Sequence, residues 1–429
     1  MDTKQTKSLQ AAERGNKRSL VLSEAVRQFN DLGYFDTRLK DVADHLGTTK
    51  TNISYHFKSK ESLLFEAYSL SCDFAEDRLR AAAHETTGLG RILTLMQSLA
   101  LKYAATLNGQ HPPLAVLNDL QALKESEDVE ISSRLRDYCR GLRTFIKDGQ
   151  TDGSVQISSI KSTVFLLLSL QKWIDGWLKS ILPGHHDIAI ATLMDLLKYG
   201  LASEPKRSLR TADPVAPFIA QSENFAFDRN ARNKMKLEAF LRVGTRHLNR
   251  YGYRQLSIND ICSELGVSRG VFYYHFEDKQ SLLKDCAARS FGVIENSLKA
   301  QSSGASDSLE HLHMALSALY TGHYSDLNPL LRQSALVFLE DKDKAVMKAK
   351  TRRITALFAE LIASGVAEGS IRHIDLDAIE TLLFGTIFSA TEQSAKLYGL
   401  GKSEIDDEGA ESLSASQFLY PLFFGLAKT

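Results

Sequence analysis

Apolar residues recur every three or four positions along most of the chain. In SLVLSEAVRQFNDLG, the residues Val21, Leu22, Ala25, Phe29 and Leu32 share one helical face, and Gly33 stops the helix. Far downstream, Phe240, Leu241, Gly244 and Leu248 repeat that face, and Gly252 repeats the stop. No segment alternates as a half-buried strand would, so the pattern predicts an all-α protein. Three of the 8 prolines fall within residues 204–230, a stretch with no helical period, which reads as a linker. The stretch 401–416 reads as a polar loop before a last apolar segment.

Two short helices follow each glycine stop. In the second half, Ser257 and Asp260 form a capping pair before a helix expected over 258–264. Leu265 and Gly266 turn the chain, and Ser268 can cap RGVFYYHF. The first half does the same with Thr37 capping the segment that holds DVADHLG and Thr49 capping KTNISYHF. Paired short helices around a glycine turn are a helix-turn-helix signature. On the second helix Ile53 and Phe57 point inward. Thr51, Asn52, Ser54 and Tyr55 therefore point outward, with Lys50 at the helix start. The outward set in the second half is Gly270, Val271, Tyr273 and Tyr274, with Arg269 at the start. Such side chains suit base edges, thymine methyls and phosphates, and Arg269 suits a bidentate pair with guanine. His56, Lys60, His275 and Lys279 lie near the start of the next helix, where cations and free N–H groups suit a phosphate.

The halves are copies. Phe29–Ala67 aligns without a gap on Leu248–Cys286, and thirteen of the 39 paired positions are identical, among them Tyr34/Tyr253, Asp41/Asp260, His56/His275 and Phe57/Phe276. A second echo pairs FIKDGQTDGSV (145–155) with LIASGVAEGSI (361–371), so a unit of some 200 residues was duplicated. This divides the chain into a head at 1–68, a body at 69–203, the linker, a second head at 231–287 and a second body at 288–429.

Composition adds exclusions. Lys+Arg and Asp+Glu balance at 52 each, so net charge points to no partner. Locally, residues 1–70 carry 11 basic and 9 acidic side chains, and 229–285 carry 11 and 6, which makes the second head the more cationic. The four cysteines lack CxxC spacing and read as reduced core residues. The longest apolar stretch, 164–177, is broken by Gln171, Lys172 and Asp175, so neither a membrane span nor a signal peptide is expected, and the protein reads as cytoplasmic. No nucleophile elbow, phosphate loop or HExxH motif occurs, and no metal or cofactor is expected. His311 and His313 sit on different sides of a helix, poorly placed for one metal.

The repeated phrase Gly-Tyr…Asp-[Val/Ile]…Leu-Gly…Tyr-His-Phe…Lys…Ser-Leu-Leu resembles the DNA-binding head of the TetR (tetracycline-repressor-like) family, here in tandem. The resemblance implies two TetR-like units, each with a three-helix head on a helical ligand-binding and dimerisation body. It implies a ligand-responsive regulator, most simply a repressor, of a double-stranded DNA operator, with an unknown small-molecule effector. Each copy departs from the family pattern. The tyrosine after the buried residue of the recognition helix is kept as Tyr273 but is Ser54 in copy one. The phosphate position at the second helix is Thr37 in copy one and Leu256 in copy two, which relies on Ser257. An alternative reading is a ligand- or partner-binding module with one head lost to DNA.

The family pairs its last two helices between chains. Here 164–182 with 186–201, and 374–398 with 412–427, would pair within one chain as a pseudo-dimer, with further self-association left open. Val164, Leu167, Leu168, Trp173 and Leu178 would meet Leu382, Leu383, Ile387 and Phe388. Trp173 and Trp177 in one body, and His313, Tyr320 and His323 in the other, are candidates for pocket lining, although the tryptophans read first as core or interface anchors. Lys17, Arg18, Arg232 and Lys234, placed before the first helix of each head, are candidate phosphate arms.

Overall fold

The computed structural model describes residues 3–117, 119–205, 207–214, 229–300, 304–325, 327–392 and 414–428. The second half of the linker, the polar stretch 401–413 and the end of the helix expected over 374–398 lie outside the described residues. Among the described residues the protein is helical, with only two isolated bridges of extended chain.

Copy one contains α1 (Thr3–Leu32), α2 (Leu39–His45), α3 (Lys50–His56), α4 (Lys60–Ala82), α5 (Gly88–Leu107), α6 (Glu125–Thr151), α7 (Ile160–Ser180) and α8 (His186–Tyr199). Copy two repeats the order as α9 (Arg229–Tyr251), α10 (Ile258–Glu264), α11 (Arg269–His275), α12 (Lys279–Ala300), α13 (Ser308–Tyr324), α14 (Asp341–Glu368), α15 (Leu376–Glu392) and α16 (Ala415–Phe424). The helix expected over 258–264 is found there, and Ser257 caps it by accepting from the Asp260 N–H at 3.2 Å. Lys17, Arg18, Arg232 and Lys234 lie inside α1 and α9 rather than ahead of them, because both helices start earlier than their apolar faces.

The two copies pair through their last helices. α7 lies along α15, and α16 packs on both α7 and α8. Trp177 is fully buried at this seam, and its indole N–H donates to the Ala378 carbonyl at 2.9 Å. The Trp173 indole donates to the Thr381 carbonyl at 3.2 Å. A Cβ built on Gly385 would lie 1.6 Å from the Trp173 ring, so only glycine fits there. Val164, Leu167, Leu168, Leu178, Leu382 and Leu383 are buried in one continuous core, while the side chains of Ile387 and Phe388 lie outside the described residues.

A crossed exchange closes the pairing. Val155, after α6, bridges to Ala427 at the end of copy two, and Ile371, after α14, bridges to Ala202 at the end of copy one. These are the two segments of the second sequence echo. Gly200 and Gly425, at φ 69° and 75°, end α8 and α16 back to back, and a Cβ on Gly200 would come within 2.4 Å of the Gly425 nitrogen.

The linker is less free than its composition suggests. Arg207 pairs with Asp307, and the Arg210 guanidinium pairs with the buried Glu310 carboxylate at 2.6 Å. The Ala212 N–H donates to Ser317 Oγ at 3.0 Å, and His313 Nδ1 meets the Arg210 carbonyl at 2.8 Å. Residues 207–214 are thus fastened along α13, because its buried polar groups find their partners in the passing chain.

Candidate nucleic-acid interface

Each head places its second short helix by burying two apolar side chains. Ile53 and Phe57 do this for α3, and Phe272 and Phe276 for α11. The Leu-Gly turns before them put Gly47 and Gly266 at φ 61° and 64°, the left-handed conformation glycine tolerates. Thr49 caps α3 by accepting from the Asn52 N–H at 3.3 Å, whereas Ser268 makes no such bond to α11. Reciprocal caps, Ser59 with Ser62 and Asp278 with Ser281, start α4 and α12.

Apart from Val271, the outward sets are where the spacing puts them. Lys50, Thr51, Asn52 and Ser54 are exposed, and Tyr55 is 68% exposed. In copy two Arg269 and Gly270 are exposed, and Tyr273 and Tyr274 are 48% and 66% exposed. Val271 is half-buried against the core. Arg269 lies over the Tyr273 ring and donates to its hydroxyl at 3.2 Å, so the two present one combined surface. His56 is half-exposed, edge-on to Tyr55.

Three expected contacts are turned inward. Thr37 is buried and donates its hydroxyl to the carbonyls of Gly33 at 2.8 Å and Gln28 at 3.1 Å; Arg38, not Thr37, occupies the cap position of α2. Lys60 donates to the Tyr34 and Thr37 carbonyls at 2.8 and 3.0 Å, and burial pulls its pKa down. His275 packs on Phe240 with Nε2 buried and without a protein partner, and burial with nearby Lys236 lowers its pKa. Ser257 spends its hydroxyl oxygen on the α10 cap. Lys279 is half-buried at the start of α12. Arg18 is held by Glu66 and by the Phe57 ring.

The body of copy one holds a half-open cavity of about 110 Å³. Its walls include Cys72 and Ala75 of α4, Tyr103 of α5, Leu114–Leu117, Tyr138 of α6, and Gln171 with Lys172 of α7. None of Trp173, Trp177, His313, Tyr320 or His323 lines it. The tryptophans anchor the seam, His313 fastens the linker, Tyr320 stacks on Phe418 at 4.7 Å, and His323 Nδ1 accepts from the Leu330 N–H at 3.2 Å. Continuing the ungapped repeat, Cys72 and Ala75 pair with Phe291 and Ile294, which are buried in the continuous core. That exchange of small for large side chains was the available sequence signal for the cavity.

The cavity wall also holds the head. The Asn30 amide of α1 donates to the Leu114 carbonyl at 2.8 Å and accepts from the Val116 N–H at 2.9 Å. Asp119 accepts from the Tyr34 N–H at 2.8 Å. Copy two repeats the clamp with Asn249, which bonds Leu330 at 2.8 Å and Arg332 at 2.9 Å.

Two helix-turn-helix heads on a paired helical body define a DNA-binding regulator. The chain carries the tetR-family DNA-binding domain twice: the profile described as "Bacterial regulatory proteins, tetR family" matches residues 21–67 and again 240–286. The chain is 25% identical over 142 residues to the Transposon Tn10 TetC protein of Escherichia coli, covering 31% of this chain and 67% of that protein. It is 43% identical over 47 residues to the HTH-type transcriptional regulator RutR of Escherichia coli K12, covering 11% of this chain and 22% of that protein. Among solved structures, a tetR-family regulatory protein from Rhodococcus RHA1 matches at 18% identity with a TM-score of 0.35, over 42% of this chain and 93% of that one. AibR in complex with isovaleryl coenzyme A and operator DNA matches at 20% identity with a TM-score of 0.36, over 42% and 97%. No helix among the described residues is long and apolar enough to cross a membrane.

Proposed function

We propose that this protein is a cytoplasmic, effector-responsive repressor that binds duplex DNA at an imperfect palindrome through two non-identical heads. The observation that carries this reading is the pair of recognition helices. Each is seated by two buried apolar residues, and each offers solvent a different set: Lys50, Thr51, Asn52, Ser54 and Tyr55 against Arg269, Gly270, Tyr273 and Tyr274. Arg269 reads guanine, and the short polar residues of α3 read the other half-site. The cavity in copy one supplies the effector site, since its wall at 114–117 is the same segment that clamps Asn30. A ligand acts there by favouring one arrangement of the clamp over another. The chemistry is binding rather than catalysis.

Gel shifts and footprinting with duplex fragments upstream of its own gene test the reading. Arg269→Ala is expected to cost about 1–3 kcal/mol at one defined base pair and relax specificity there. Absence of duplex binding by the intact chain overturns it. A second reading, in which head two alone reads bases, is favoured by the inward engagement of Thr37 and Lys60. It requires Asn52→Ala and Tyr55→Ala to leave the footprint unchanged.

A further inference from the structure

The turn after Gly33 and its repeat after Gly252 solve one problem in two ways. In head one the Tyr34 N–H is accepted by Asp119, from the body of the same copy. Aligning the two clamps places Asp119 opposite Ala335, so copy two lacks the equivalent acid. Its acceptor comes from the other head. Asp36 accepts from the Tyr253 N–H at 3.0 Å and from the Arg254 N–H at 2.8 Å. The Arg254 guanidinium in turn donates to the Asp36 carbonyl and lies 3.6 Å from Asp41.

We propose that Asp36 is a one-way latch between the heads, which fixes the separation of the two recognition helices and so the half-site spacing the protein accepts. The residue is 3% exposed, so releasing it would strand a buried carboxylate and two backbone donors. The latch cannot be reciprocal: the repeat has Gln255 at the Asp36 position, and the Tyr34 N–H is already taken by Asp119. The fit is close, since a Cβ on Gly252 would lie 2.6 Å from an Asp36 carboxylate oxygen. Because α1 is clamped by the wall of the copy-one cavity, the same latch carries the state of that cavity to head two. The spacing part of this inference rests on the proposal that both heads engage DNA.

Spin labels on Lys58→Cys and Glu277→Cys, both exposed just past the recognition helices, measure head separation without DNA. The cysteines at 72, 139, 262 and 286 are buried and leave the introduced sites as the reactive ones. The intact latch is expected to give one narrow distance, and Asp36→Ala a broad distribution. Asp36→Asn and Arg254→Ala, read the same way, serve should Asp36→Ala fail to fold. Adding Ala335→Asp to Asp36→Ala returns an acceptor within copy two but no bridge, and the distribution is expected to stay broad. A narrow distance in folded Asp36→Ala, or its recovery by Ala335→Asp, overturns the latch. Selection from a randomised duplex pool supplies the second arm. Preference for one spacing over neighbours a base pair longer or shorter is expected to fall about tenfold in Asp36→Ala. An unchanged preference overturns the latch. Broadened distances with no duplex selected by the unaltered chain would sustain the latch and defeat the DNA reading instead.

Discussion

The two heads descend from one sequence but are built into the molecule differently. Head one has a core of its own, in which Val21, Phe29, Ile53, Phe57 and Leu63 close on Ala115, Leu120 and Ile131. Head two has no such boundary: Phe240, Phe272 and Leu282 belong to the same continuous core as both bodies. The cavity in copy one lies between Cys72 and Tyr103, where the head-one core gives way to the body core. Copy two has Phe291 at the Cys72 position. Duplication thus let one half keep a gap between head and body while the other filled it.

The largest expected effect removes the contrast altogether. Trp177→Ala deletes the buried anchor of the seam and should cost about 3–5 kcal/mol in denaturant unfolding, with both heads losing function together. A loss confined to one head would mean the copies fold independently. A smaller effect should sharpen the contrast. Lys60→Ala breaks bonds internal to head one and should lower Tm while leaving the salt dependence of duplex binding alone. Lys279→Ala should leave Tm in place and reduce the salt slope by about one. Equal slopes for both variants would restore Lys60 as a phosphate contact.

The smallest effect concerns the strand that joins the halves. The Arg210 guanidinium holds the Glu310 carboxyl well below the usual carboxylate range. A depressed carboxylate contributes stability above that range and loses it as pH falls through the folded-state value. The Tm gap between the unaltered chain and Glu310→Gln should therefore be widest near neutrality and close in acid. It should be modest, because Arg210 is solvent-exposed and screened. A gap that ignores pH would assign the contact to shape rather than charge.

Periodicity and glycine stops were enough to place the helices of both heads and the α7–α15 seam, since these are local patterns or large apolar faces. The inward fates of Thr37, Lys60 and His275 were not legible. Each is decided by carbonyls or rings brought close only by folding, and a cation beside a recognition helix looks the same in sequence whether it faces phosphate or its own turn. The bond between heads left one trace: GYFDT in copy one against GYRQL in copy two, a charge exchanged within an otherwise shared turn. Nothing local said that Asp36 would find Arg254. The linker misled for the same reason, because the partners of Arg207 and Arg210 lie some hundred residues away.

The back-to-back meeting of Gly200 and Gly425 has a consequence for mass action. A regulator assembled from two separate chains loses its paired form with the square of dilution. Here the mate is present whenever the chain is, at a local concentration that dilution does not touch. Promoter occupancy should then follow the first power of protein concentration, and a cell with a handful of copies keeps every one of them paired. Inheritance changes as well: a single mutation alters one recognition helix instead of two, so each head can drift at its own pace.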